Sequence, residues 1–205
     1  MARVKLTKNE LKGQKDALKR FQRYLPTLQL KKQQLQLVIR QVEVQMRTKD
    51  EQRINLEREI MSWVEVFGED VDISGTLKIR SLKTDTGNIA GIDIPVFEGI
   101  EFDELPYDLF VLPPWVDRGI DAVKRLLALD AEVRILKEQH RLLAEELRIT
   151  TQRVNLFEKV KIPETRESIR MIRIYLGDQQ TAAVVRGKIA KSAIAEAVAK
   201  EALPA

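Results

Sequence analysis

Hydrophobic side chains recur at heptad spacing through the first 67 residues, and this repeat constrains the fold more than any other feature. Two interleaved series carry the repeat, one stepping by sevens from Val4 and the other from Thr7. Most positions in both series are apolar, and alternating steps of three and four define a coiled-coil seam. The pattern therefore predicts one long helix over residues 1–67. Two shorter amphipathic helices broken at Pro26 are the alternative, because proline removes a backbone donor inside a helix.

A second apolar seam begins after residue 115. It runs at the same spacing from Ala122 through His140 and Phe157 to Lys161. The register slips at Pro163 and then resumes from Ile169 to Ile194. Two long seams joined by a shorter segment can bury their apolar stripes against each other. We therefore predict a mainly α fold, in which N- and C-terminal helices form an antiparallel two-helix coiled coil.

Pro163 has two interpretations. If Phe67 lies opposite Arg118, Pro26 lies near residue 159 of the other helix, about one turn from Pro163. The two prolines would then bend both helices at nearly the same level. Alternatively, Pro163 ends the helix, at a cost of about 3 kcal/mol if it lies inside one.

The middle of the chain has a different pattern. Between residues 75 and 102 the apolar period becomes two, and the turn-forming sequence "TDTGN" at 84–88 divides the alternating runs. The pattern predicts a β-hairpin that turns there, followed by an irregular acidic stretch up to Trp115, since prolines 106, 113 and 114 disfavour regular structure. Three segments follow: an N-terminal coiled-coil helix (1–67), a small acidic hairpin segment (68–114) and a C-terminal coiled-coil helix (115–205).

Charge divides the chain in the same way. Residues 1–53 have 14 basic and 5 acidic side chains, whereas residues 68–114 have 3 basic and 10 acidic ones. This division predicts segments with different surfaces and different partners. The chain has no cysteine, which excludes a disulfide framework. A charged start and the lack of an 18-residue apolar run predict a soluble, cytoplasmic protein without a membrane span.

No catalytic motif is present in the sequence. "RGKIAK" at 186–191 has the Gly-Lys pair of a phosphate-binding loop but lacks the upstream glycine and the following serine or threonine. The single histidine, His140, falls on the second seam, where a polar residue more often sets helix register than transfers protons. We therefore expect no catalytic residues, no metal and no cofactor.

Three stretches of sequence resemble one known family. They are "KLTKNELKGQKDAL…LPTLQLKKQQL", "NIAGIDIPVF" and "TTQRVNLFEKVKIPETRESIRMI". Together they resemble the D subunit of the V/A-type rotary ATPases, the central rotor shaft. The third stretch departs from the family signature at Gln152, which replaces an arginine, and at Leu156-Phe157, which replaces Ala-Leu.

The resemblance implies a non-catalytic shaft that couples ATP synthesis or hydrolysis to proton or sodium transport. Its expected partners are the A and B ring subunits, the F subunit and the C subunit, which is the adaptor on the membrane ring, with no nucleic acid and no cofactor. The expected location is cytoplasmic, peripheral to the membrane. The residues that match the family motifs are the expected structural or partner contacts: Thr7, Lys8, Pro26, Asn88, Gly91, Pro95, Arg153, Val154, Asn155 and Pro163.

Two other functions agree with the residue pattern. The excess of basic residues in the first 53 positions is compatible with a helical-hairpin arm that binds RNA. A coiled coil without chemistry is also compatible with a generic scaffold.

Overall fold

The computed structural model describes residues 4–63, 77–104, 113 and 115–201. Helix α1 spans Lys8–Met61, strands β1 and β2 span Leu77–Ile89 and Ile92–Glu104, and helix α2 spans Val116–Asn155. A π-helical turn, Leu156–Lys161, leads into helix α3, Ile162–Glu201. The predicted fold class, two long helices with a β-hairpin between them, is confirmed.

The described residues form two compact units. The hairpin-bearing unit comprises residues 30–151, and the terminal unit comprises residues 1–29 together with 152–205.

The hairpin-bearing unit has a core made by three elements. Leu35 and Val42 of α1 pack with Leu143 of α2, and Ile94 of β2 joins the same cluster at 3% exposure. Leu143 is completely buried. A core leucine of this kind stabilises a fold by about 2–5 kcal/mol relative to alanine. The hairpin, which alone would be marginal in water, is therefore held by the helix pair.

Ion pairs show how the two helices run in this unit. Lys31 pairs with Glu146 at 2.7 Å, and Lys49 pairs with Glu132 at 3.0 Å. As numbering rises along α1 it falls along α2, so the helices are antiparallel, as predicted. Lys31 belongs to neither heptad series, yet its flexible stem brings its ammonium group to the carboxylate of the other helix.

The terminal unit has a thinner core, made along one helix seam. Val154, Ile162, Ile169 and Ile172 are buried, and Ile172 is fully so. On α1, the seam positions in this unit are only half-buried. Phe21 of α1 and Phe157 of the π-helical turn contact each other with ring centroids 5.3 Å apart.

The heptad prediction holds through α1. Every position of both series from Val4 to Trp63 is buried or half-buried, apart from exposed Thr7. Pro26 lies inside α1, which continues through it, so the alternative of two helices broken there is wrong. Phe67, the last predicted seam position, lies outside the described residues.

The hairpin is longer than predicted, and it turns at a different place. The sequence "TDTGN" is part of β1 and pairs with residues 93–97 of β2. The turn is at Ala90 and Gly91, both with positive φ, as a tight two-residue hairpin turn requires. Gly87 stays in the strand, where an added Cβ would lie 3.0 Å from Val96.

The predicted irregular stretch is also partly wrong. Residues 98–104 continue β2 and pair with β1, with two register shifts, between Ile79 and Ser81 and between Lys83 and Thr84. The apolar side chains Ile100 and Phe102 alternate with acidic ones there, as in a strand. Residues 105–112 and 114 lie outside the described part of the chain.

Candidate functional site

The register slip at Pro163 is produced by the π-helical turn before it. The Ile162 N–H donates to the carbonyl of Phe157, five residues back. A π turn inserts one residue into the helix without breaking it. The buried face accordingly steps from Phe157 to Ile162, and Lys161, the predicted seam position, is exposed.

Pro163 is the second residue of α3 and is exposed. Its ring would meet the carbonyl four residues earlier in a regular α-helix. The widened turn immediately before Pro163 changes that geometry, so the chain stays helical from α2 through the turn into α3. The interpretation of Pro163 as a helix breaker is wrong.

The matched-bend interpretation stays a prediction. Pro26 and Pro163 both belong to the terminal unit, where Phe21 of α1 contacts Phe157 of the π-helical turn.

Thr7 and Lys8 form the start of α1. The Thr7 hydroxyl accepts a hydrogen bond from the Glu10 N–H at 3.2 Å, and the Thr7 carbonyl accepts one from the Leu11 N–H at 3.0 Å. This is the arrangement of a helix N-cap. The structure thus gives the family-like Thr-Lys start a local structural role.

Asn88 and Gly91 organise the hairpin turn. The Asn88 side-chain amide donates to Asp93 at 2.7 Å, and its side-chain oxygen accepts from the Gly91 N–H at 3.1 Å. Gly91 has φ of +79°, where a side chain would be strained. The Asn-x-x-Gly motif is therefore the turn itself.

Pro95 connects the hairpin to α2. Its carbonyl accepts a hydrogen bond from the side-chain amide of Gln139, which is buried. The sequence pattern does not single out Gln139. The only signal is that a glutamine directly precedes the seam residue His140, at a position that becomes buried only once the hairpin packs there.

His140 lies in the seam, as predicted, and contacts α1. Its Nε2 is 3.2 Å from a carboxylate oxygen of Glu43, and both side chains are partly exposed. The pair joins the two helices of the hairpin-bearing unit and agrees with a role in setting register.

Charged pairs on the hairpin are exposed. Lys83 lies 2.6 Å from Glu101, and Ser81 donates to the same carboxylate at 2.9 Å. The hydrogen bonds from Lys83 and Ser81 lower the pKa of Glu101, and the hydrogen bond to Glu101 raises the pKa of Lys83. On α2, the Arg141 guanidinium likewise lowers the pKa of Glu138.

Large apolar side chains are exposed in three places. Leu30, Leu37 and Val44 follow one another at heptad spacing on the outer face of α1 and are 55–63% exposed. On the hairpin, the exposed apolar residues are Ile79, Leu82 and Val96. On α3, they include Val184, Val185, Ile189 and Ile194. Contiguous exposed apolar patches are typical of interaction surfaces.

The ten residues predicted from family motifs are distributed over both units. Asn88, Gly91 and Pro95 belong to the hairpin-bearing unit. The others belong to the terminal unit: Thr7, Lys8, Pro26, Arg153, Val154, Asn155 and Pro163. Arg153 and Asn155 are exposed beside the π-helical turn, whereas Val154 is buried in the seam.

Two negative findings concern the described residues. Among them, no group of three or more His, Cys, Asp or Glu side chains is placed to hold a metal ion. No helix in the described ranges has a stretch long and apolar enough to cross a membrane.

Known proteins resemble this chain over nearly its whole length. Residues 10–192 match the family of the ATP synthase D subunit. The D subunit of the V-type ATP synthase of Borreliella burgdorferi is 50% identical over 194 residues, covering 95% of this chain and 96% of that protein. The corresponding proteins of Chlamydia pneumoniae and Chlamydia caviae are 34% and 35% identical, with 93% and 94% of each chain covered.

Proposed function

The chain belongs to the family of ATP synthase D subunits, and from that membership we propose how it works in a V/A-type ATP synthase. It is a central-stalk subunit, the rotor shaft, which couples ATP synthesis or hydrolysis in a ring of A and B subunits to proton or sodium transport. ATP chemistry takes place in the ring, and this chain transmits torque without catalytic residues of its own.

The observation that carries this proposal is the continuity of the helices. Helix α1 runs for 54 residues without interruption, through Pro26. On the other side of the seam, α2, the π-helical turn and α3 follow one another without a break. An element that transmits torque must resist local unfolding along its length, and uninterrupted helices with a buried seam meet that requirement.

Contacts between α1 and α2 add resistance to sliding in the hairpin-bearing unit. Lys31–Glu146, Lys49–Glu132 and Glu43–His140 all join one helix to the other. Each partly exposed pair adds only about 0.2–1 kcal/mol. Their spacing along the seam, between tightly packed leucines, opposes a shift of one helix past the other.

We assign the partners by surface. The exposed apolar residues of α3, with the small residues around them, suit contact with the A and B ring. The hairpin, residues 77–97, suits the F subunit, because Ile79, Leu82 and Val96 are exposed on it. The same unit would reach the C subunit, the adaptor on the membrane ring. We propose that the protein, as part of such a complex, is cytoplasmic and peripheral to the membrane.

Purification of the assembled complex tests this function. A tagged copy of the chain, expressed in cells that lack the untagged one, should copurify with a nucleotide-binding ring. Vesicles that carry the complex should transport ions when ATP is added, whereas vesicles from cells without the chain should not.

The alternative functions predict other outcomes. An RNA-binding arm would retain RNA in a filter assay and lose it as salt increases. A generic scaffold would copurify with proteins that do not hydrolyse ATP. Either result, in the absence of a nucleotide-binding ring, would contradict the proposal.

A further inference from the structure

A groove in the terminal unit is lined by six basic side chains. Lys12, Lys15 and Lys19 come from α1, and Arg166, Arg170 and Arg173 come from α3. We call these six residues the basic groove. All six are exposed, and the remaining lining residues include one carboxylate, Asp16, beside the apolar Leu18, Ile169 and Ile174.

Five of the six basic side chains of the groove have no ion-pair partner within the described chain. Arg170 pairs with Glu167 on its own helix at 3.2 Å, and no ion pair forms at the other five among the described residues. No described ion pair joins α1 to α3 in this unit. In the hairpin-bearing unit, by contrast, Lys31 and Lys49 each reach a carboxylate on the facing helix. Unpaired like charges along one groove repel each other, and an acidic partner removes that repulsion.

The lining of the basic groove suits an acidic protein segment better than single-stranded nucleic acid. Lys12, Lys15 and Lys19 occur at helical spacing on one face, over about 10 Å. The arginine guanidinium groups can each hold a carboxylate through two parallel hydrogen bonds. A surface for single-stranded nucleic acid uses aromatic side chains on which bases stack, and none lines this groove.

We propose that the basic groove is the docking surface for an acidic protein segment of the same complex, which places carboxylates between α1 and α3. This inference rests on the proposed function, since it takes the partner to be another protein of that complex. The apolar side chains at the groove floor, Leu18 and Ile169, would pack against the aliphatic part of the docked segment.

The test neutralises half of the groove. The variant Lys12→Gln/Lys19→Gln/Arg173→Gln is compared with Arg47→Gln/Lys137→Gln/Arg148→Gln. The control removes three exposed cations that have no ion pair among the described residues and lie in the other unit. Each tagged full-length chain is titrated with the rest of the complex, purified from cells that lack this chain. Circular dichroism melting curves check that both variants fold.

At about 50 mM salt, the groove variant should bind about tenfold more weakly than wild type, as expected for the loss of three surface ion pairs. At about 300 mM salt, where exposed charges are screened, the difference should shrink to about twofold or less. The control should bind like wild type at both salt concentrations.

Three results would overturn the inference. If the groove variant binds as tightly as wild type at low salt, the groove does not dock a carboxylate partner, but the proposed function stands. If wild type binds a 30-nucleotide single-stranded RNA and the groove variant does not, the groove serves phosphates. If wild type does not bind the rest of the complex at all, the proposed function fails as well.

Discussion

The hairpin-bearing unit and the terminal unit each contain helix packing along a seam, but the two units differ in their cores and in their ion pairs. In the first, three elements enclose Leu143, and ion pairs join the facing helices. In the second, one seam buries Ile172 and its neighbours, and the basic side chains of the groove have no described ion-pair partner on the facing helix. The first unit therefore has a core made by three elements and ion pairs between its facing helices, whereas the second has a core along one seam and a groove of basic side chains on its surface.

This difference indicates that one unit holds the hairpin in place and the other contacts other subunits. A segment that must hold a hairpin in place benefits from a core of its own. A segment that must contact other subunits benefits from an exposed surface, and it needs only enough seam to remain helical. The two units can thus be tested against each other.

Single-residue deletions should show the largest difference. Removing Glu145, exposed on α2, rotates the seam on one side of the deletion by about 100° and should cost more than about 4 kcal/mol, since several core residues lose their places. Removing Glu158 from the π-helical turn, together with Pro163→Ala, should convert that turn to regular α-helix. The seam would keep its phase, and the cost should be about 1 kcal/mol or less. Urea denaturation of both variants measures the two costs.

The outcome of the deletions bears on the register. Equal destabilisation by the two deletions would mean that the π-helical turn does not absorb the extra residue between Phe157 and Ile162.

Core truncations should show the next largest difference. Leu143→Ala in the hairpin-bearing unit should lower the free energy of unfolding by about 3–5 kcal/mol, because Leu143 is fully buried. Leu25→Ala in the terminal unit, at a half-buried position, should lower it by about 1–2 kcal/mol. Lys137→Ala on the exposed face is the control. If Leu25→Ala is as costly as Leu143→Ala, the terminal seam is not the weaker one.

The hydrogen bond between Gln139 and Pro95 should stabilise the hairpin without affecting α3. Gln139→Leu leaves a carbonyl without its donor, and it should cost about 1–2 kcal/mol. Amide exchange in β1 and β2 should accelerate, while exchange in α3 stays unchanged. Gln36→Leu, at an exposed position of α1, is the matched control. If amide exchange in the hairpin is unchanged, its apolar contacts alone hold it against the helices.

The smallest effect should come from the exposed pair of Lys83 and Glu101. The pKa of Glu101 is lowered by its hydrogen bonds, so its contribution to stability is present above the ordinary glutamate pKa and is lost as pH falls through the lowered value. Glu101→Gln should therefore be slightly less stable than wild type at neutral pH and equal to it in acid. Thermal melting at several pH values measures this, and a difference that grows in acid would contradict the assignment.

The fold was predictable because heptad spacing reports directly on a helix seam. The position of the hairpin turn was not, because polar residues such as Thr84 and Asp85 are typical of turns yet also fit an exposed strand. The five-residue step from Phe157 to Ile162 was visible in the sequence as a slip of the apolar register. The sequence pattern located the slip at Pro163, whereas the π-helical turn before Pro163 produces it. The basic groove could not be predicted, since it combines lysines and arginines about 150 positions apart.

Hydrogen exchange on the chain, alone and within its complex, tests most directly whether the terminal unit is completed by partners. We expect partner subunits to bury the exposed side chains around Lys12–Lys19 and Arg166–Arg173. Backbone amides in these two stretches should therefore exchange more slowly in the complex than in the free chain. Amides around Leu35–Val42 and Leu136–Leu143 should already be protected in the free chain and change little. If protection increases around those core residues and not around the basic groove, partners do not complete the terminal unit.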